Sequence, residues 1–599
     1  MFVDVNGAAR TGYGEYPATI VRNRFNTRSI MAVAPHSAKD QTGFRSMAEL
    51  AICFVITLSV LRGFFLEGYL VSTGSMAPVL LGFHKRVECP SCQYNYACGV
   101  RFDQSVGGSV SAENAHTGNV YTSCPNCGQI DIDIARVPRN HGDQLLVHKN
   151  VFDFRRPRRW EPVVFCNPGS PGEAYVKRVV GLPGEELQVI DGDVFINGRI
   201  ARKDLVTQRN MRIPVSDLGH VPDDPNWELS WRMEGNWTVH ADELCCSADG
   251  IQHTENVLSF RHWRWFGGNH TVETPLPVRD AYPDWTDFLQ RFKGIPVSWI
   301  RRLDFDEQTQ VLRCHGVMPD EMQSDLMASA TNDVFRRAIY RLAALSHLAP
   351  VTDRYGYNTS VTSAENVVSD MMLKATITID SQPAEIIISI PVEAQVYLVR
   401  LNMKTGRIEL TPQGSDEVLR TSRLESAANG FEIEASNFDH RLTVAIDGKN
   451  VFRPLDLPAA DTVSVKKSTR RTLVPLSPEA ARADAEVVER QQRFGLMVFG
   501  GRVRIGDLQM YRDVHYTQGR GRHAVETKCK IAADSYFVQG DNSPVSYDSR
   551  SWVEPFVPHR LLVGKPFVVH LPSRPGRLKL GKREISIRIP DFQRIRYIQ

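Results

Sequence analysis

The sequence predicts a mainly β protein with a single N-terminal transmembrane helix, a small ribbon built on two CxxC pairs and a large inserted β-sandwich. Three observations predict it. One apolar run stands near the N-terminus, residues 50–61 (LAICFVITLSVL). Two Cys-Pro-x-Cys knuckles follow it, Cys89 to Cys92 and Cys124 to Cys127. Beyond residue 370 come many short alternating segments separated by turns. Composition agrees. A chain of 599 residues has room for about four domains. Its 42% hydrophobic and 23% charged residues exclude wholesale disorder, and a net charge of +3 leaves no nucleic-acid footprint. The 11 cysteines are too few for a disulfide scaffold, so their spacing carries the information.

Residues 1–45 read as a cytoplasmic tail and 46–70 as the transmembrane segment. The apolar stretch 50–66 is at the short end of a spanning helix, and Arg62 near one end can snorkel to the headgroups. Arg10, Arg22, Arg24, Arg28, Lys39 and Arg45 outnumber Asp4, Glu15 and Asp40 ahead of it. That excess predicts a cytoplasmic N-terminus, with everything after the span outside the cytoplasm. The competing reading is a cleaved signal peptide, against which the tail is long for an n-region.

Three blocks carry candidate chemistry. Residues 71–78 (VSTGSMAP) place Ser75 after a flexible Gly74. Residues 174–185 read as a buried strand ending in a Pro-Gly turn, with Lys177 on the same face as Tyr175 and Val179. A lysine on such a face loses solvation, its pKa falls, and the neutral amine becomes a general base. In residues 536–552 a strand ends in Gly540-Asp541-Asn542, and Asp541, Asp548 and Arg550 can stiffen the loop as ion pairs. Taken singly, the blocks are also compatible with a juxtamembrane linker, an edge-strand lysine and a solvated loop.

Together and in this order, the blocks resemble the bacterial type I signal peptidases, or leader peptidases. The resemblance rests on Thr73-Gly74-Ser75-Met76, on Gly142-Asp143-Gln144-Leu145-Leu146-Val147-His148-Lys149, on YVKRVVGLPG over 175–184, and on GDN…S-x-D-S-R from Gly540 to Arg550. It covers residues 46–88, 128–205 and 526–599, about a third of the chain, and implies a β catalytic core in parts 71–88, 128–205 and 526–599. It implies Ser75 as nucleophile, Lys177 as general base, and Thr73 with the Ser75 amide as the oxyanion hole. It also implies Ser546 as the residue orienting the lysine, and Gly540, Asp541, Asp548 and Arg550 as supports. The sequence departs from the family at Ser72, where proline is common, and at Ser543-Pro544-Val545 inside the last motif.

Two insertions interrupt that core. In residues 89–127, Cys89, Cys92, Cys124 and Cys127 have the pairing of a structural zinc ribbon; disulfides are the alternative outside the cytoplasm, and Cys98 is a spare. Residues 206–525 hold alternating segments, including 442–446 before an Asp447-Gly448 hairpin signal. That stretch is similar to the jelly-roll sandwiches of the concanavalin-like class, so a sugar or a protein is its expected kind of partner. The aromatic stretch 260–266 reads as packing at a domain junction, with a sugar platform as the alternative. Helices are expected over 328–348 and 477–493. Basic clusters at 155–159 and 466–471 read as solvated faces, with lipid headgroups as the alternative.

The expectation is a membrane-bound serine endopeptidase using a Ser/Lys dyad. Its substrates are preprotein signal peptides with small residues before the cut. Membrane lipid is a partner, nucleic acid is not, catalysis needs no cofactor, and zinc is structural. The compartment is the bacterial cytoplasmic membrane. A self-cleaving repressor shares the chemistry but has no span and carries a DNA-binding helix pair. An inactive membrane-tethered sugar-binding or adhesion protein on the same scaffold is the other alternative. The large insertion is expected to be dispensable for the chemistry.

Overall fold

The structure is a computed structural model. It describes residues 39–100, 121–224, 227–240, 242–247, 256–267, 271–276, 302–306, 308–330, 333–358, 366–424, 429–458, 493–517, 521–570, 573–580 and 583–598. The tail 1–38, the expected helix 477–493 except its last residue, and the basic cluster 466–471 lie outside the described residues.

One unit holds the N-terminal helix, Lys39–Val60. Residues 45–65 have a mean hydropathy of 1.9, long and apolar enough to cross a membrane. Leu50, Ile52, Phe54, Val55 and Ile56 are all exposed on it, an all-round apolar surface unlike the single stripe of a helix packed on a soluble core.

The second unit is mainly β. Its first sheet gathers chain from three distant parts of the sequence. The strand order is Leu66–Leu70, Gln144–His148, Leu562–His570, Pro162–Asn167, Ser170–Gly181, Ser535–Gln539 and Val557–Pro558, with Arg596–Tyr597 pairing the third. Strand Ser170–Gly181 is interior, so its Lys177 and Arg178, on opposite faces, are both buried.

A short sheet joins the ends of the large insertion: Glu186–Ile190 pairs Cys529–Lys530, with Leu187 opposite Cys529. The insertion therefore leaves and re-enters the core side by side. Within it, a nine-stranded and a seven-stranded antiparallel sheet contribute to one hydrophobic cluster, including Leu373, Ile377, Ile433 and Ile505 from the first and Ile388, Val399, Leu410 and Leu496 from the second. The Asp447-Gly448 turn forms as read, both residues with positive φ (47° and 80°). Arg502–Arg512 is one strand, whose register shifts opposite Lys374 and Thr376 beside Asp507 at φ 47°. The helix expected at 328–348 forms as Asp333–Ser346, and a further helix, Asp320–Ser329, precedes it. They pack on a small three-stranded sheet through Met322, Leu326, Phe335 and Leu342.

The insertion is not independent of the core. Ala77, Leu81, Val180 and Phe537 share one buried cluster with Met211, Ile213, Tyr355, Tyr357, Val514 and Tyr516. Removing 206–525 would therefore strip apolar side chains from beside the loop that carries Ser75.

In the 155–159 cluster Arg156 and Arg158 are exposed, as read, while the other two arginines are paired. Arg155 pairs with Glu161 at 2.6 Å and Arg159 with Glu185 at 2.6 Å. In the aromatic stretch, Phe260, His262 and Trp263 are buried and the Trp265 amide donates to Cys127 O at 2.8 Å, so it packs at a junction as read.

Candidate active site

Ser75 lies in a turn between strands Leu66–Leu70 and His84–Glu88. Both ends of the turn are tied to Asp143. The Val71 amide donates to Asp143 O at 2.9 Å, the Leu81 amide to Asp143 Oδ2 at 3.0 Å, and Arg594 Nη2 to Asp143 Oδ1 at 2.8 Å. A Cβ on Gly142 would stand 1.7 Å from Val71 O, so only glycine allows this approach.

Lys177 reaches the same turn from its interior strand. A hydrogen bond joins Lys177 Nζ and Ser75 Oγ. Among the described residues no carboxylate forms an ion pair with Nζ. Burial lowers the lysine to about 8; the charges of Asp548 and Asp541 pull it up and that of Arg550 pushes it down. An amine neutral at mildly alkaline pH against a serine hydroxyl is the arrangement that makes serine a nucleophile without a histidine.

The loop after strand Ser535–Gln539 closes the site and rests on two buried charge pairs. Arg550 grips Asp548 with Nε at 2.9 Å and Nη2 at 2.7 Å, and its Nη1 reaches Thr517 O and Ser543 Oγ, each at 2.6 Å. Asp548 Oδ2 also accepts the Gly540 amide at 3.0 Å. Burial raises the Asp548 carboxyl, but the Arg550 charge and hydrogen bonds outweigh it and hold it below its ordinary value. The departure at 543–545 therefore costs no ion pair, because Ser543 is itself bonded to Arg550. The second pair is Arg178 with Asp541, both contacts 2.7 Å, with Arg178 Nη1 on Trp160 O at 2.5 Å. Arg178 is adjacent to the lysine read from the sequence, and the reading gave it no role; the one signal was an arginine on the other face of a strand otherwise apolar.

Gly540 is where the pieces meet: a Cβ there would lie 2.3 Å from both Ser75 O and Ser546 Oγ. Ser546 is thus beside the dyad, but the expected hydrogen bond from Ser546 to Lys177 is not formed. Its hydroxyl fills the space over Gly540 while Nζ is engaged by Ser75. Thr73 is exposed, two residues ahead of Ser75.

The four cysteines also meet. The sulfurs of Cys89, Cys92, Cys124 and Cys127 lie within 4.8 Å of one another, all buried, with 3.7 Å from Cys89 to Cys127 and 3.6 Å from Cys92 to Cys124. A disulfide needs about 2.05 Å, and all four are free thiols. Four sulfurs at about 2.3 Å from a central Zn²⁺ in tetrahedral array stand about 3.8 Å apart, so the donor set fits zinc. Cys98 is buried in the same cluster.

A family model described as signal peptidase, peptidase S26, matches residues 136–250 and 443–571. The match contains Lys177 and the 540–550 loop and begins after Ser75. The chain is 34% identical over 106 residues to the probable signal peptidase I-2 of Synechocystis sp., covering 16% of this chain and 46% of that protein. It is 46% identical over 65 residues to signal peptidase I of Leptolyngbya laminosa, covering 10% and 32%. With signal peptidase I of Pseudomonas fluorescens the figures are 32% over 127 residues, 20% and 44%. The chain thus spans less than half the length of these relatives. Over these segments the chain is similar to the type I signal peptidases of peptidase family S26.

Proposed function

We propose that the chain is a membrane-bound serine endopeptidase that removes signal peptides with a Ser75/Lys177 dyad. The observation that carries this is the hydrogen bond between Ser75 Oγ and a buried Lys177 Nζ. Neutral Lys177 takes the Ser75 proton as Oγ attacks the scissile carbonyl. The Ser75 amide and Thr73 stabilise the oxyanion. The lysine then protonates the leaving amine, and afterwards draws a proton from the water that releases the acyl group. The apolar helix anchors the enzyme with its N-terminus in the cytoplasm and the site outside. The test is a preprotein with alanine at the first and third positions before the cut. Purified protein cuts it once, after the first; replacing that alanine with phenylalanine stops cleavage. Cleavage indifferent to that change contradicts the substrate class.

The pH profile follows from Lys177. The active form is neutral, so kcat/KM falls as pH drops through about 8 and levels above it. A profile still climbing steadily at pH 10 contradicts a lysine lowered by burial.

In the same reading the cysteine cluster is a zinc ribbon and the two-sheet insertion a β-sandwich. Zinc there holds the knuckles and takes no part in the chemistry. Elemental analysis is expected to find about one zinc per chain, and Cys124→Ser to lose it. Disulfide-linked peptides from native protein contradict the assignment.

A further inference from the structure

The segment 355–358 belongs to the large insertion, inside residues 251–442 that the family model leaves unmatched, yet it touches both halves of the active site. The Tyr355 hydroxyl donates to Asp541 O at 2.6 Å. The Tyr357 ring lies against Gly74, where a Cβ would come within 2.1 Å of its Cε1. The Tyr357 hydroxyl donates to Phe83 O at 3.2 Å, and Tyr357 O accepts the Gly99 amide at 2.8 Å. Asn358 forms a reciprocal amide pair with Asn542: Asn358 Nδ2 donates to Asn542 Oδ1 at 2.7 Å, and Asn542 Nδ2 donates to Asn358 Oδ1 at 2.8 Å.

Asn542 grips the nucleophile on both sides. Its Nδ2 also donates to Gly74 O at 2.9 Å, and its backbone amide donates to Ser75 O at 3.0 Å. The peptide joining Gly74 to Ser75 is planar and trans, so its N–H points opposite its C=O. A donor that fixes Gly74 O therefore fixes the direction of the Ser75 N–H, the donor assigned to the oxyanion. An amide has two N–H groups and one oxygen to satisfy. In Asn542 one N–H holds Gly74 O; the other N–H and the oxygen are both used by Asn358. Turning the Asn542 amide over would set its oxygen against the Gly74 oxygen and undo the pair with Asn358.

We propose that Asn358 is a positioning residue for the reaction: through Asn542 it fixes the Gly74–Ser75 peptide and so the oxyanion-binding amide, making catalysis depend on the inserted domain. The proposal rests on the peptidase reading for its kinetic consequence but not for its geometric one. Losing two hydrogen bonds at about 1 kcal/mol each is expected to lower kcat about tenfold or somewhat more, with KM unchanged, because the bonds act on the amide that the transition state uses.

The experiment pairs Asn358→Ala with Asn358→Asp in the full chain. Asp is isosteric and keeps the acceptor, but opposes a carboxylate oxygen to Asn542 Oδ1. Two readouts are taken on each variant: kcat and KM on a signal-peptide substrate, and amide hydrogen exchange of the peptide spanning residues 72–76. The expected result is a lower kcat at constant KM, and faster exchange at 72–76 with unchanged exchange over strand His84–Glu88. Wild-type kcat together with wild-type exchange at 72–76 overturns the proposal, as does faster exchange spread through the whole domain. If wild-type protein cuts no signal peptide, the peptidase reading fails, and the exchange arm alone decides the role of Asn358.

Discussion

Replacing Ser75 with alanine, or Lys177 with alanine, is expected to lower cleavage by at least about a thousandfold while leaving the protein folded. A serine hydroxyl without a base is a poor nucleophile, and a lysine without the serine has nothing to activate. The two act as one unit, so the double variant should be no slower than the slower single variant. Folding should survive for different reasons. Among the described residues, Ser75 Oγ has Lys177 as its one hydrogen-bond partner. Lys177 is buried and forms no ion pair among the described residues, so removing it also removes a buried amine whose cost to stability grows as pH falls below the ordinary lysine value and is complete below about 8. The check is cleavage kinetics beside circular dichroism. Near-normal cleavage by either single variant contradicts the dyad.

Asp548→Ala is expected to be the most destabilising single change at the site, by about 3–5 kcal/mol, the usual cost of leaving a buried charge without its partner. Arg550 is 3% exposed at its side chain and Asp548 fully buried, so water cannot replace the lost carboxylate. The Gly540 amide would lose its acceptor as well, and the loop pressed on Ser75 would loosen. The measurement is the denaturant midpoint with its slope unchanged. The sign of the pH dependence is fixed too. The Asp548 carboxyl is held below its ordinary value in the fold. Its contribution is therefore complete above the ordinary carboxylate range and fades as pH falls through its lowered value. In Asp548→Ala that part of the acid sensitivity disappears. A midpoint within about 0.5 kcal/mol of wild type contradicts the role given to the pair.

The sequence made the dyad, the cysteine cluster and the turns legible because each is announced locally. Ser75 and Lys177 stand in short motifs whose spacing survives the insertions between them. The Cys-Pro-x-Cys knuckles need only to be brought together. Asp447-Gly448 marks its hairpin by chemistry that no tertiary contact overrides. Other features depend on which strands become neighbours. Arg178 is buried because Ser170–Gly181 is flanked on both edges and covered on both faces, and alternation alone cannot say which face of a strand is left to solvent. Tyr355, Tyr357 and Asn358 sit in a stretch with no motif, and meet Gly74 and Asn542 only in the folded chain. The helix expected at 328–348 is Asp333–Ser346, which holds the spacing residues Val334, Ala338, Leu342 and Leu345, whereas Asp320–Ser329 ahead of it was not read from the sequence. Ser546 shows the opposite limit: its position beside Ser75 and Lys177 was legible, but the expected hydrogen bond to Lys177 is not formed.

The central claim is that this chain cuts preproteins with Ser75. The most direct measurement is the mass of the products when purified protein in detergent or lipid is incubated with a preprotein, wild type beside Ser75→Ala. The account predicts two fragments from the wild type, separated after a small residue that follows another small residue two positions earlier, and intact preprotein from Ser75→Ala. Intact preprotein in both samples, or the same two fragments from Ser75→Ala, contradicts it.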